Sequence, residues 1–347
     1  MRAVVIYEHG GPEVLRYVED YPDPVAGPGE VLVAVEAVAL NHLDLFVRRG
    51  LPDVKVPLPH IPGCDMAGRV AALGPGVVGH EVGEEVIVQP GQSCMACEAC
   101  LSGRDNLCRR YSIIGGYQRD GGCCELVNVP AVNLMPKPAN VSWEVAAAFP
   151  LTFLTAGHML SRAGIRPGMT VLVQSAASGV GSAAVQIAKF HGARVIATAS
   201  TQAKLDLARS LGADETIEYR SENVLARVRE LTGKRGVDIV FEHVGGKVIA
   251  ELVRAARPGG VVVTCGASED STAAIDLRYL YIRDVSIIGS YMGEKAGLLA
   301  MLPLLAEGKL RPAVDSVLPL EKAAEAHQRL ENRAAAGKVV LRVGSAA

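Results

Sequence analysis

The chain has 347 residues, a formal net charge of −2, 49% hydrophobic and 4% aromatic residues, and 37 glycines. That length suits two domains with large cores, and the near-neutral charge argues against nucleic acid or an anionic membrane as partner. No apolar run approaches the roughly 20 residues of a membrane helix, and MRAVVIYEHGG lacks the apolar core and cleavage site of a secretory signal, so a cytoplasmic location is expected.

Residues 1–35 read as strands: RAVVIY is a short apolar run, and GPGE marks a turn before VLVAVEAVAL. VPLPHIPG is proline-punctuated loop, and MAGRVAALGPGVVGHEVGEEVIVQP reads as two more strands with glycine turns. Cys123 and Cys124, just past GYQRDGG, read as strand residues. The first 130 residues are therefore mainly β. WEVAAAFPLTFLTAGHMLSRAG carries helical signals interrupted at Pro150. From residue 170 strands alternate with helices: TVLVQSA, GSAAVQIAKFHGA, RVIATAS, TQAKLDLARSLGA, VDIVFEHVG, KVIAELVRAARPGG and VVVTCGAS. Such alternation indicates right-handed βαβ units on a parallel sheet. GLLAMLPLLAEGKL and LEKAAEAHQRLENRAAAG read as helices, and KVVLRV as a closing strand.

VLVQSAASGVGSAAVQIA runs from a strand through a small-residue turn into a helix. Small residues let backbone approach a pyrophosphate, and a helix N-terminus offers free N–H groups. Ser178, Gly179, Val180 and Gly181 are the expected cofactor contacts, with Ala176 and Ser178 where glycines would stand in the usual fingerprint. The end of the second strand has Ala199, Ser200 and Thr201 in place of the carboxylate that holds a 2′-hydroxyl. With Lys204 and Tyr219 nearby, this favours NADP, with NAD possible; the competing reading of Lys204 is an ordinary solvated helix residue.

QSCMACEACLSGRDNLC spaces Cys94, Cys97, Cys100 and Cys108 as C-x2-C-x2-C-x7-C. Four thiolates so close can close a tetrahedral zinc shell, which leaves no open position for chemistry. An iron–sulfur cluster also uses four cysteines, although no Pro follows Cys108 as in the common bacterial ferredoxin run.

Together GPGEVLVAVEAVALNHLDLFVRRG, HIPGCDMAGRVAALGPGV, the cysteine segment, ASGVGSAAVQIAK and GKVVLRV resemble the medium-chain dehydrogenase/reductase family over nearly the whole chain. That family includes zinc alcohol dehydrogenases and quinone oxidoreductases. The resemblance implies an α/β chain: a doubly wound Rossmann domain (150–290) inserted in a mainly β, GroES-like catalytic domain (1–149 with 291–347). It also implies a cofactor cleft between the two and a homodimer or homotetramer. In the loops after later strands, Gly266, Ala267 and Ser290 would pass the nicotinamide, next to Cys265.

The family's catalytic zinc is held by a cysteine three residues before an aspartate, a histidine in a GHE triplet, and a Cys or acidic residue ahead of the nucleotide-binding domain. Here Asn41 stands in the first position, with Asp44 three residues on; Cys64 and Asp65 replace His and Glu; and Leu151 marks the third. The usual catalytic site is thus not encoded, and Asn41 with Asp44 resembles the quinone oxidoreductase branch, which often lacks the four-cysteine segment. The expected activity is NAD(P)H-dependent hydride transfer to a small molecule, a quinone, enone or related activated carbonyl compound, with one structural zinc. Asn41 is expected to stabilise developing charge, His42 to donate a proton, Asp44 to orient a neighbour, and Cys64 to be a cleft thiol; His60 and His158 are lesser candidates. Two other readings stand: an alcohol dehydrogenase with zinc on a rearranged set such as His42, Cys64 and Asp65, and a non-catalytic NADPH-binding redox sensor.

Overall fold

The computed structural model describes residues 1–50 and 54–344. Internal contacts divide it into two units, Met1–Leu151 with Glu294–Ala347, and Thr152–Gly293. These limits lie two or three residues beyond the expected 149/150 and 290/291.

In chain order, the first unit begins with the antiparallel pair β1 (Ala3–Ile6) and β2 (Leu15–Val18), then β3 (Glu30–Ala39) and α1 (His42–Arg49). There follow β4 (Asp65–Leu73), β5 (Glu85–Val88), β6 (Gly91–Gln92), α2 (Glu98–Leu101), β7 (Ser112–Ile113), β8 (Leu126–Pro130), β9 (Leu134–Pro136) and α3 (Trp143–Ala148). α4 (Pro150–Arg162) starts at the limit of this unit; Pro150 separates it from α3, since proline cannot donate to a continuing helix.

The second unit runs β10 (Thr170–Val173), α5 (Gly179–Phe190), β11 (Arg194–Ala199), α6 (Gln202–Ser210), β12 (Glu215–Glu218), α7 (Val224–Leu231), β13 (Val237–Glu242), α8 (Gly246–Leu252), β14 (Ala256–Thr264), α9 (Leu277–Arg283) and β15 (Ser286–Gly289). The chain then returns to the first unit with α10 (Lys295–Ala306), β16 (Val314–Pro319), α11 (Ala323–Glu331) and β17 (Lys338–Arg342).

The large sheet of the first unit has the order β16-β17-β3-β4-β5-β9, with β8 also on β3. β3 alternates buried and half-buried residues along most of its length, the period-2 pattern of a strand with one face on a core. That core gathers Val4, Ile6, Val33, Val70, Val127 and Leu341. β17 pairs antiparallel with β3, Leu341 opposite Val38, so a segment near residue 340 completes a sheet begun near residue 30.

The second unit has six strands in the order β12-β11-β10-β13-β14-β15, all parallel. Its central strands β10 and β13 are buried throughout, as expected where both faces are covered by helices. The strand order reverses between β10 and β13. That is the switch point where an open α/β sheet leaves a crevice at its carboxyl edge.

Two local readings need correction. KVIAELVRAARPGG does not stay helical: α8 stops at Leu252, a 3-10 turn covers Val253–Ala255, and β14 begins at Ala256. Pro258 and two glycines end helical propensity there, and a shift of register against β13 between Val237 and Ile239 absorbs them. Cys123 and Cys124 precede β8; Cys124 forms only an isolated bridge with Ala3, and the amide of Cys123 donates to the Pro62 carbonyl. The sequence reading does not anticipate α7 or α9, because both are short. Among the described residues no helix is long and apolar enough to cross a membrane.

Candidate active site and cofactor-binding residues

Of the three positions matched to the alcohol dehydrogenases' zinc ligands, Asn41 is hydrogen-bonded to Cys64, and Leu151 joins them through Asp65. Asn41, the residue ahead of α1, is buried; its amide Nδ2 donates to Asp65 Oδ2 (2.9 Å), Ala39 O (3.3 Å) and Cys64 Sγ (3.3 Å). Its Oδ1 accepts from the ammonium of Lys338 at 2.6 Å, and the same ammonium reaches Asp65 Oδ2 at 3.0 Å. An ammonium has only protons to give, so Lys338 fixes which end of the amide is oxygen. The other oxygen of Asp65 accepts the backbone N–H of Leu151 at 2.8 Å. Asp65 and Lys338 are both nearly inaccessible, a buried ion pair with its remaining lone pairs satisfied.

Both ends of the Asn41 amide and both oxygens of Asp65 are therefore engaged by neighbouring protein groups. Burial, with Asp44 and Asp65 near it, pushes the Cys64 thiol well above its ordinary range, so it stays protonated. Asp44 is fully buried and closes the first turn of α1: its carboxylate accepts from the N–H of Asn41 (2.7 Å) and of Gly63 (3.0 Å). Burial raises its carboxyl to about 6 in spite of those bonds. His42, the first residue of α1, is exposed. Among the described residues, His42, Cys64 and Asp65 do not bring ligand atoms together; only the four cysteines do.

Cys94, Cys97, Cys100 and Cys108 place their sulfurs within 4.8 Å of one another. Cys94 and Cys100 are 3.8 Å apart, Cys97 and Cys100 3.5 Å. A Zn–S bond of about 2.3 Å in tetrahedral geometry separates sulfurs by about 3.8 Å, so the set fits zinc. Backbone N–H groups support the thiolates: Cys97 donates to Cys94 Sγ, while Cys94 and Arg110 donate to Cys108 Sγ. The Cys94 thiol is lowered to about 5, by the Ala96 N–H first and then by Arg110. The lobe is anchored by Lys295 at the start of α10, whose ammonium meets Gly91 O (2.5 Å) and Asp105 Oδ2 (3.2 Å).

In the second unit, Ser178 is the N-cap of α5 and accepts from the N–H of Gly181 at 3.0 Å. A Cβ on Gly181 would meet Ser175 O at 2.4 Å, so only glycine lets the helix start this close to the strand end. Ser200 is buried at the end of β11, and the Tyr219 amide donates to Ala199 O, which brings these two expected cofactor residues to one edge. Lys204 lies on α6 and is half-buried. Gly266 and Ala267 follow β14, and Ser290 follows β15; the Ser290 hydroxyl is buried with no partner. An orphaned hydroxyl at the carboxyl edge of the sheet fits a ligand with polar groups there. His60 and His158 are not at these clusters: His60 bridges to Ile6 and faces Asp120, and His158 is half-buried on α4.

Three residues escape the sequence reading. Lys338 opens an apolar run, and a lysine heading a strand with no polar alternation is the signal for a buried, paired charge. Glu242 ends β13 and His243 follows it, a carboxylate and an imidazole in VFEHVGG after an apolar strand at the carboxyl edge.

A family model described as "Alcohol dehydrogenase GroES-like domain" matches residues 27–139, and one described as "Zinc-binding dehydrogenase" matches residues 179–307. The chain is 32% identical to the NAD-dependent alcohol dehydrogenase of Sulfolobus acidocaldarius, covering 99% of this chain and all of that one. It is 32% identical to the crotonyl-CoA reductase of Streptomyces avermitilis, over 93% of this chain and 81% of the relative. It is 29% identical to the quinone oxidoreductase of Sus scrofa, over 98% and 97%. A crystal structure of an NAD-dependent alcohol dehydrogenase superposes with a TM-score of 0.94 at 49% identity, covering 99% of this chain and all of the other. The chain belongs to the medium-chain dehydrogenase/reductase family, with a GroES-like domain and a Rossmann domain. It is an NAD(P)-dependent oxidoreductase of that family.

Proposed function

We propose that this enzyme reduces an activated carbonyl compound, a quinone, enone or relative, with NADPH and without a catalytic zinc. The observation that carries this is the closed network in which Asn41 and Asp65, from the segments that would hold a catalytic metal, are engaged by each other, by the Lys338 ammonium and by the Leu151 N–H. Relatives named quinone oxidoreductase and crotonyl-CoA reductase support a conjugated acceptor.

A reduced dinucleotide, its pyrophosphate held at the α5 turn, would supply the hydride. The chain's own residues do the rest. Asp44 and Lys338 hold Asn41, and with it the first turn of α1. His42 at that turn carries a proton to the reduced product. Cys64 stays a buried thiol and takes no part in electron transfer. Ser200, Lys204 and Tyr219 favour the 2′-phosphate of NADP, since no carboxylate stands at the end of β11 to repel it. The four-cysteine lobe holds one structural zinc.

A homo-oligomer through the second unit fits β15, an edge strand exposed over most of its length, beside α9, which buries none of its residues and exposes Leu277, Tyr281 and Ile282 by about 70%. A cytoplasmic location fits eight cysteines that are all unpaired.

The test is metal content with a substrate screen. About one zinc per chain, with NADPH-dependent reduction of quinones or enones that survives removal of loosely held metal, supports the reading. About two, with chelator-sensitive alcohol oxidation by NAD, favours the second reading, for which the relative at 49% identity speaks.

A further inference from the structure

His243 lies one residue past β13, across the switch-point crevice from the start of α5. Its backbone is gripped on both sides. The buried carboxylate of Glu242 accepts from the N–H groups of Val244 and Gly245 and from Thr264 Oγ1 (2.9 Å), folding the chain back just after His243. That turn needs positive φ at Gly245 (83°) and Gly246 (52°). From the far side Gly266 approaches the His243 carbonyl so closely that a Cβ would meet it at 2.4 Å. The ring stands edge-on to Phe241, and its Nε2 lies 3.2 Å from Ser178 Oγ.

The remaining ring nitrogen decides the direction of that bond. With Nδ1 protonated, Nε2 is a bare acceptor 3.2 Å from the hydroxyl of Ser178. Burial lowers the imidazole to about 4, which keeps it neutral near pH 7. A serine hydroxyl has one proton and two lone pairs. At Ser178 one lone pair serves Gly181 N–H, which leaves the hydroxyl proton to be placed on His243 Nε2.

We propose that His243 is a positioning residue for the dinucleotide: by taking the Ser178 proton it locks Ser178 as the cap of α5. The phosphates are then left to the backbone N–H groups of the first turn, at Gly179 and Val180, which have no partner within a helix. Ser178 thus acts through its cap and not as a hydroxyl donor to phosphate. This rests on the dinucleotide reading above and is independent of the acceptor.

The experiment uses the full chain, with NADPH and NADH as probes. His243→Phe removes the acceptor, while His243→Gln supplies one through Oε1. Nicotinamide fluorescence titrations should show both dinucleotides bound about tenfold more weakly by His243→Phe, with the loss in KM and not in kcat. His243→Gln should return to within about threefold. Ser178→Ala should lose at least as much, since it also removes the cap on Gly181 N–H, and the double variant Ser178→Ala, His243→Phe should lose no more than Ser178→Ala alone, because the bond between the two side chains is then already gone. Nitrogen NMR of labelled histidine, assigned by the missing His243→Gln signal, should show the Nδ1–H tautomer. Unchanged affinity in His243→Phe, additive losses in the double variant, or the Nε2–H tautomer would each overturn the inference. Should His243→Phe not fold, Ser178→Ala and the tautomer decide. A wild-type chain that binds neither dinucleotide overturns the cofactor reading and this one with it, whereas normal wild-type binding with an indifferent His243→Phe overturns this one alone.

Discussion

Lys338 and Asn41 lie 297 positions apart and are joined by a 2.6 Å hydrogen bond from ammonium to amide oxygen. Through that bond the residue that heads β17 determines what the residue before α1 can do. Its amide hydrogens are turned toward Asp65, Ala39 and Cys64.

Breaking the pair from either side leaves a buried, uncompensated charge. Lys338→Met and Asp65→Asn should each lower stability by about 3–5 kcal/mol, seen as a shifted urea midpoint. The double variant should recover much of that loss. Single variants as stable as wild type would mean that the charges do not meet in solution.

The four-cysteine lobe should hold one zinc. Cys97→Ser should lose the metal, assayed by mass spectrometry of the elements, and lower Tm by several degrees. Retention of zinc by that variant would place the ion elsewhere.

Ser200→Asp puts a carboxylate at the end of β11. The ratio of KM for NADPH to KM for NADH should rise at least about tenfold, through repulsion of the 2′-phosphate and a new bond to the 2′-hydroxyl. A ratio that stays constant argues that this strand end does not select the cofactor.

Asp44 links stability to pH. Its carboxyl sits at about 6 in the fold against 3.8 ordinarily, with burial the leading cause. The folded chain therefore holds this proton more tightly than the unfolded one. The corresponding stabilisation is complete below pH 3.8 and is lost as pH rises through 6. The stability of wild type minus that of Asp44→Asn should fall by roughly 2 kcal/mol between pH 4 and 7. A difference that does not change with pH would show that Asp44 titrates normally.

Tyr281→Glu combined with Ile282→Asp puts two charges on the exposed face of α9, next to the edge strand β15. Light scattering coupled to size exclusion should show a smaller assembly than wild type. An unchanged mass would move the contact to another face.

Much of this was readable in the chain because the signals are local. Period-2 alternation in VLVAVEAVAL, buried runs such as TVLV, and the strand-turn-helix at Ser178 each follow from neighbours in sequence. The cysteine spacing is local as well, and the four sulfurs converge as that spacing requires. What was not readable depends on distant partners. Nothing near Asn41 announces Lys338, and nothing near Ser178 announces His243. The helical reading of AARPGG failed because pairing of Ala256 with Val237 outweighs the helical pattern before it. Asp65 reads in sequence as the replacement for the family's glutamate or as a ligand of a rearranged zinc; its three donors come from three other segments.

The interruption of one sheet by a whole domain has a consequence for biosynthesis. Every strand of the parallel sheet lies between residues 170 and 289, so that unit can fold on the nascent chain as it leaves the ribosome. The other sheet has to wait. Until β17 emerges, β3 lacks one of its neighbours and Asp65 lacks its countercharge. The half made first is therefore finished last, and it is then that the Asn41 cluster assembles.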